Sequence, residues 1–335
     1  MNRECQLQEH FSDPILEEDM RRVLFLLNPL LASQENKRAG VDRCARILRA
    51  EGCEAEVREI LSPHSAGDQA REAIASGFDT LFACGGDGTL FHVLQGVAGS
   101  SAALGILPLG TGNVLARNLR LPRVPEAAFR TQREATPLEI PLGEIVCGGK
   151  SWYFTIAAGI GFHAALMNLA PTGRAKRIWG RAAYYAGWAR LLLRHNVQPL
   201  HVEMTNIGGG TLEFRACELL AVRVPAIDRW RAGGELLSPH LRVVAVPQTG
   251  RLGLAYACFH GLVTGRSRGV FAEKLRLPCP FYADAAQVVC RPAESFPYKS
   301  SLLVQADGEV IGADCATLRM AQKRLRLLWP GGASG

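Results

Sequence analysis

Asp87 stands among glycines in the run Cys84-Gly85-Gly86-Asp87-Gly88-Thr89-Leu90, and a second glycine turn, Gly110-Thr111-Gly112-Asn113, follows it along the chain. Glycines at such turns let the main chain take positive φ and approach a ligand. A helix opening directly afterwards offers unpaired N–H groups and the positive end of its dipole. That combination suits phosphate. A carboxylate is out of place in a bare anion site and makes sense where Mg²⁺ is shared with the phosphates, or where the acid serves an attacking hydroxyl. The bland alternative is a pair of ordinary strand-to-helix turns. Near the other end of the chain, Gln305-Ala306-Asp307-Gly308-Glu309 carries a second set of carboxylates. A strand through them would put Asp307 and Glu309 on one face, although Asp-Gly is also a turn signal.

The elements that must position these groups follow from the apolar spacing. Residues 79–84 and 104–109 read as buried strands, each running through its glycine turn into a helical spacing over 89–97 and 114–119. Upstream, residues 22–27 read as a strand ending at Asn28-Pro29, 37–51 as a helix, 55–61 as a strand and 67–76 as a helix. Strands alternating with helices predict a parallel sheet covered by helices. Neither turn is a Walker A loop, since no Gly-Lys-Ser/Thr follows, and no GxGxxG is present. Around 120–137 prolines interrupt a short helix at 126–131, which places a boundary near Pro137. The domain reading is therefore a loose leader over 1–20, an α/β nucleotide-binding domain over 21–137 and a mainly antiparallel β domain over 138–335. Strand-like runs there include 138–146, 150–162, 200–206, 212–224, 241–247 and 301–310, and a final strand over 324–329 that returns towards the first domain.

At 335 residues the chain can bury two cores, and 48% hydrophobic with 21% charged residues excludes disordered and fibrous classes. No apolar run reaches the ~18 residues of a membrane span, and the polar N-terminal stretch does not resemble a secretion signal, so a cytoplasmic location is expected. Ten cysteines without a CxxC pair indicate neither zinc nor a disulfide framework. The formal charge of +7 favours anionic partners, but no nucleic-acid motif accompanies it, so no nucleic-acid partner is expected. Residues 174–196 carry six Lys or Arg side chains and no acid, interleaved with Trp179, Tyr184, Tyr185 and Trp188. They read either as a helix lying on an anionic membrane or as a surface helix whose aromatics pack inward.

The pair of motifs, CGGDGTL followed by LPLGTGNVLARNL, resembles the catalytic domain shared by diacylglycerol kinases, sphingosine and ceramide kinases and their bacterial lipid-kinase relatives. GGDGT alone is less specific, because NAD kinases and 6-phosphofructokinases carry a similar signature. The resemblance implies ATP as co-substrate, Mg²⁺, a lipid hydroxyl as acceptor and an apolar cleft between the domains near residues 152–162. It implies that Asn28, Gly85, Gly86, Asp87, Gly88, Thr89, Gly110, Thr111, Gly112 and Asn113 hold the nucleotide. Ser62 and Ser65 lie where related kinases approach the phosphates, although such serines more often cap helices. Asp307, in a QxDGE element that closes over the site, is the implied general base, with Asp87 as the alternative seen in sphingosine kinases. Asp87 and Glu309 would carry the metal.

Several positions depart from the family pattern. Val93 stands where a Glu is usual, Val114 where many bacterial members have Asp, and His163 replaces the Asp of GxGFDA. The Asp-Gly turn that normally precedes residues 241–247 is missing. These losses remove the acids of a structural Mg²⁺ site and leave those of a catalytic one. His163 reads as an acid-base group or as a histidine satisfied by a hydrogen bond. Two other functions stay open at this point. One is an NAD kinase, against which the chain has no Asn-Glu dipeptide; the other is a non-catalytic nucleotide- or lipid-binding module that has lost its acids.

Overall fold

The computed structural model describes residues 20–169, 198–228, 230–264, 280–293 and 301–330. The basic segment 174–196, with the membrane reading attached to it, and the leader up to residue 19 lie outside the described residues.

The first half is a parallel sheet. Strands β1 (Arg22–Leu27), β2 (Glu54–Glu59), β3 (Thr80–Gly85) and β4 (Ala103–Pro108) lie in the order β2-β1-β3-β4, all parallel. Every residue of β3 and β4 is buried, as expected of central parallel strands covered on both faces. Helices α1 (Pro29–Ala32), α2 (Glu35–Ala50), α3 (Ala66–Ala75), α4 (Asp87–Val97), α5 (Val114–Asn118) and α6 (Pro125–Arg133) connect and cover them. Under α2 and α6, Phe25, Phe82 and Phe129 form a ring cluster with centroids 5.0 to 6.0 Å apart. Each fully buried phenylalanine contributes about 1.5–3 kcal/mol. On the other face α3 and α4 cross closely, because a Cβ on Gly96 would meet the Gly67 backbone. Between β2 and α3, Ser62 and Ser65 form a reciprocal capping box around a single 3₁₀ turn, Pro63–Ser65.

The antiparallel half starts at Pro137 with β5 (Pro137–Cys147). It continues through β6 (Lys150–Phe154), β7 (Ala157–Gly161), α7 (Phe162–Leu169), β8 (Leu200–Asn206), β9 (Thr211–Val222), β10 (Leu241–Pro247), α8 (Arg251–Thr264), β11 (Phe281–Pro292), β12 (Leu303–Ala306), β13 (Glu309–Ala313) and β14 (Ala316–Leu328). The apolar run over 150–162 is thus two strands, and the strand expected over 301–310 is a hairpin. Strand β14 joins the halves. Its first residues pair with β11, its whole length runs beside β5, and Arg326 and Leu327 pair in parallel with Ala103 and Leu104 of β4. Beyond that short pairing, Gln132 of α6 takes over the free edge of β4, accepting from Ile106 N–H and donating to Ile106 C=O. The described cysteines are free thiols, most of them buried.

Two further ties bring the second half against the glycine turns. Arg223, almost fully buried, donates to the carbonyls of Ser238, His240, Pro141 and Leu236 and so fixes the segment after β9. Burial lowers its pKa to about 10, which leaves it charged at neutral pH. That segment grips α5: Asn118 exchanges hydrogen bonds with Ala226, and Arg117 pairs with Asp228 at 3.1 Å.

Candidate active site

Both glycine turns lie at the carboxyl ends of parallel strands, where open α/β sheets bind ligands. Their geometry corrects one expectation. None of Gly85, Gly86, Gly88, Gly110 or Gly112 has positive φ; the left-handed residue is Asn113, at φ +48°. Glycine is required for space. A Cβ on Gly110 would lie 2.6 Å from Gly86 Cα, so the two turns touch backbone to backbone. A Cβ on Gly88 would run into the Glu309 carboxylate.

Asp87 clasps the turns together. It is the first residue of α4, yet its Oδ1 accepts the Val114 N–H at 2.7 Å and so caps α5. Its Oδ2 faces Gly112, where a Cβ would come within 2.7 Å. Asn113, the formal cap, is spent on the turn itself: it accepts from Gly110 N–H and donates to the carbonyls of Pro108 and Gly110. Thr111 and Gly112 are exposed, and their N–H groups meet no protein acceptor among the described residues. Together with the first-turn N–H groups of α4, which no helical bond consumes, they form a cradle of donors for an anion.

Asn28 and Thr89 border the cradle with their polar atoms already engaged. The Asn28 Oδ1 caps α1 through Leu30 N–H, and its Nδ2 donates to Thr89 Oγ1 at 2.9 Å. Thr89 is buried against Gly85. These two side chains lock the β1 and β3 turns to each other. Ser62 and Ser65 are taken up by the capping box.

The DGE segment reaches the same place by a different route. Asp307 (φ +47°) and Gly308 (φ +91°) are the two central residues of a tight turn between β12 and β13, with Ala306 paired to Glu309. Two positive φ values are the type I′ pattern that Asp-Gly favours. The reading of Asp307 and Glu309 on one strand face is therefore corrected. Gln305 steadies the turn by accepting Gly308 N–H at 2.9 Å.

Asp307 turns inward. It is 6% exposed, and its Oδ2 accepts from the N–H and hydroxyl of Thr155 while its Oδ1 accepts the N–H groups of Ile156 and Ala157, all at 2.8 to 3.1 Å. Burial pushes its pKa up to about 6, and these donors oppose the rise. Glu309 instead remains half-buried against Gly88. Asp87 and Glu309 are thus the half-buried carboxylates of the cradle, and Asp307 is the buried one. Among the described residues no three His, Cys, Asp or Glu side chains converge as metal ligands.

Two further groups are not marked by the motifs. Lys37 of α2 donates from Nζ to the Leu109 carbonyl at 2.6 Å, directly before the second turn. In the antiparallel half, Glu218 of β9 caps α7 by accepting His163 N–H at 2.7 Å, while its Oε1 has no partner among the described residues. Burial pushes Glu218 up to about 8 and the His163 imidazole down to about 4, so both are uncharged at neutral pH. His92, on α4, is lowered to about 4 by burial and by the neighbouring His64 ring, 5.6 Å away. Glu218 is hidden in sequence as the acid in the buried end of a strand, and Lys37 as one basic residue in a charged helix.

Residues 22–145, which hold both glycine turns, match the diacylglycerol kinase catalytic domain. A Pseudomonas aeruginosa protein named "Probable lipid kinase YegS-like" is 32% identical over 228 residues, 67% of this chain and 70% of the relative. The chain belongs to the diacylglycerol kinase-type lipid kinase family. A Mycobacterium tuberculosis protein named "Diacylglycerol kinase" is 33% identical over 189 residues, 55% of this chain and 59% of its own length. The crystal structure of a diacylglycerol kinase from Bacillus anthracis superposes with a TM-score of 0.62 at 16% identity, covering 93% of this chain and 98% of that one; at this identity the likeness concerns the fold. This lipid kinase therefore has its α/β half, its largely antiparallel half and their order in common with that structure. Among the described residues no helix is long and apolar enough to cross a membrane.

Proposed function

We propose that the chain transfers the γ-phosphoryl group of ATP to a hydroxyl of a diacylglycerol-like or sphingoid lipid. The observation that carries this reading is the meeting of two glycine turns, clasped by Asp87, with Glu309 delivered onto Gly88 by the β12–β13 hairpin. Phosphoryl transfer asks little covalent chemistry of a protein; it needs alignment, charge neutralisation and a place for a proton. Backbone N–H groups of Gly88, Thr111 and Gly112 hold phosphate oxygens. Asp87 keeps the two turns in register, so that donors from both address one polyphosphate. Glu309, on the open side of Gly88, receives the proton of the lipid hydroxyl as it attacks. Asp307 sets the hairpin against the 155–157 backbone and thereby sets Glu309.

Mg²⁺ fits this donor set. Asp87 would offer it a hard carboxylate oxygen, and Mg²⁺ readily completes its shell with phosphate oxygens and water. When bound it neutralises charge on the phosphates. The N–H cradle and the hairpin are this chain's own contribution: they exclude water from one side of the phosphates and orient the acceptor.

The direct test is γ-labelled ATP with Mg²⁺ and mixed diacylglycerol, sphingoid base, ceramide and monoacylglycerol. A labelled lipid that depends on the protein supports the reading. ATP binding without any labelled lipid, in folded protein, would sink it in favour of a non-catalytic binding module.

A further inference from the structure

Lys37 lies outside both glycine motifs, yet it is tied to one of them. It sits on α2 four residues before Val41, seven before Cys44 and eleven before Leu48, all of them buried. At helical spacing this places Lys37 on the core-facing stripe, one turn beyond the apolar residues. A lysine there lays its aliphatic stem along the stripe and extends its charged head past the end of it. The head lands on the Leu109 carbonyl, and Lys37 is accordingly only half-buried.

That carbonyl belongs to the peptide unit whose N–H is Gly110's. The Gly110 N–H points at the Gly85 carbonyl and at Asn113 Oδ1, 3.2 and 3.1 Å away. Lys37 thus grips one side of the peptide plane that joins the two turns, while the first turn and Asn113 grip the other. Its ammonium also brings positive charge beside the cradle that holds the Asp87 and Glu309 side chains.

We propose that Lys37 is a positioning residue for the nucleotide, fixing the Leu109–Gly110 peptide and supplying counter-charge to the phosphates from behind the second turn. This rests on the reading of the cradle as the nucleotide site. The charge-assisted hydrogen bond sets the expected size of its loss at about tenfold in nucleotide affinity.

The experiment compares wild-type protein with Lys37→Met and Lys37→Arg, measuring the Kd of ADP by calorimetry at low and high salt, KM for ATP against kcat, and Tm. The expected result is an ADP Kd raised about tenfold in Lys37→Met, with a flatter salt dependence, a raised KM for ATP, kcat within about threefold of wild type and recovery of most of the loss in Lys37→Arg. Unchanged ADP affinity in Lys37→Met would overturn the proposal. Equal loss in both variants together with a fall in Tm would also overturn it, because it would make Lys37 a strut only. Absence of ADP binding by the wild-type protein would remove the reading of the cradle itself, and the proposal with it.

Discussion

Asp87 and Asp307 both stand beside glycine in motifs that read as catalytic, and the fold treats them oppositely. Asp87 is half-buried and carries a hydrogen bond from one backbone donor of the neighbouring turn. Asp307 is buried, and both its oxygens are saturated by the backbone and hydroxyl of residues 155–157. A carboxylate that accepts two hydrogen bonds on each oxygen is a structural tie, whereas Asp87 turns its Oδ2 towards the exposed Gly112. On the proposed mechanism this difference separates acids that would meet substrate from the acid that holds the frame, a distinction that residue type alone does not carry.

The largest effect is expected at Asp87. Asp87→Asn keeps an oxygen for the Val114 N–H but loses the charge, so activity should fall about 1,000-fold while Tm moves little. A loss of Tm matching the loss of activity would erase the contrast with Asp307. Gly88→Ala comes next. Alanine is the better helix residue by up to ~1 kcal/mol, so the variant should be as stable as wild type, yet its Cβ displaces the Glu309 carboxylate and should cost about 100-fold in turnover. Undiminished turnover would separate Glu309 from the chemistry.

Glu218 sharpens the contrast by pH. Its folded pKa of about 8 exceeds the ordinary carboxyl value, so the native state holds the proton more tightly. The stability this gives is complete below the unfolded value of 4.5 and is lost as pH rises through about 8. Between pH 6 and 7.5 the wild-type protein should lose on the order of 2 kcal/mol that Glu218→Gln does not, read from denaturant midpoints. A parallel pH dependence in both would show Glu218 to be ionised. The smallest effect is expected for Ser62→Ala, about 1 kcal/mol of stability from the lost cap with the ADP affinity unchanged. A weakened ADP affinity would make the serine a phosphate ligand after all.

The parallel half was legible because its central strands are uninterrupted apolar runs ending at glycines, so the strands β1 to β4 and the helices α2 to α6 lie within a few residues of their sequence reading, while the short α1 falls where only an Asn-Pro turn was read. The antiparallel half was less so. Strand β11 escaped notice because a register shift between Ala285 and Gln287 breaks its alternation, and few of its residues are buried. The hairpin at Asp307 read as one strand because the apolar run continues on both sides of a two-residue turn. Lys37 and Glu218 owe their positions to contacts with distant segments, Leu109 and the start of α7, which no local pattern announces.

On the proposed mechanism Glu309 acts on the substrate and Asp307 on the frame. This division of roles is tested most directly by measuring lipid labelling from γ-labelled ATP, with Tm, for wild type, Glu309→Gln and Asp307→Asn. Glu309→Gln should keep its Tm and lose labelling, and Asp307→Asn should lose Tm while labelling in proportion to its folded fraction. A fully folded Asp307→Asn without activity, beside an active Glu309→Gln, would contradict it and return the base to Asp307.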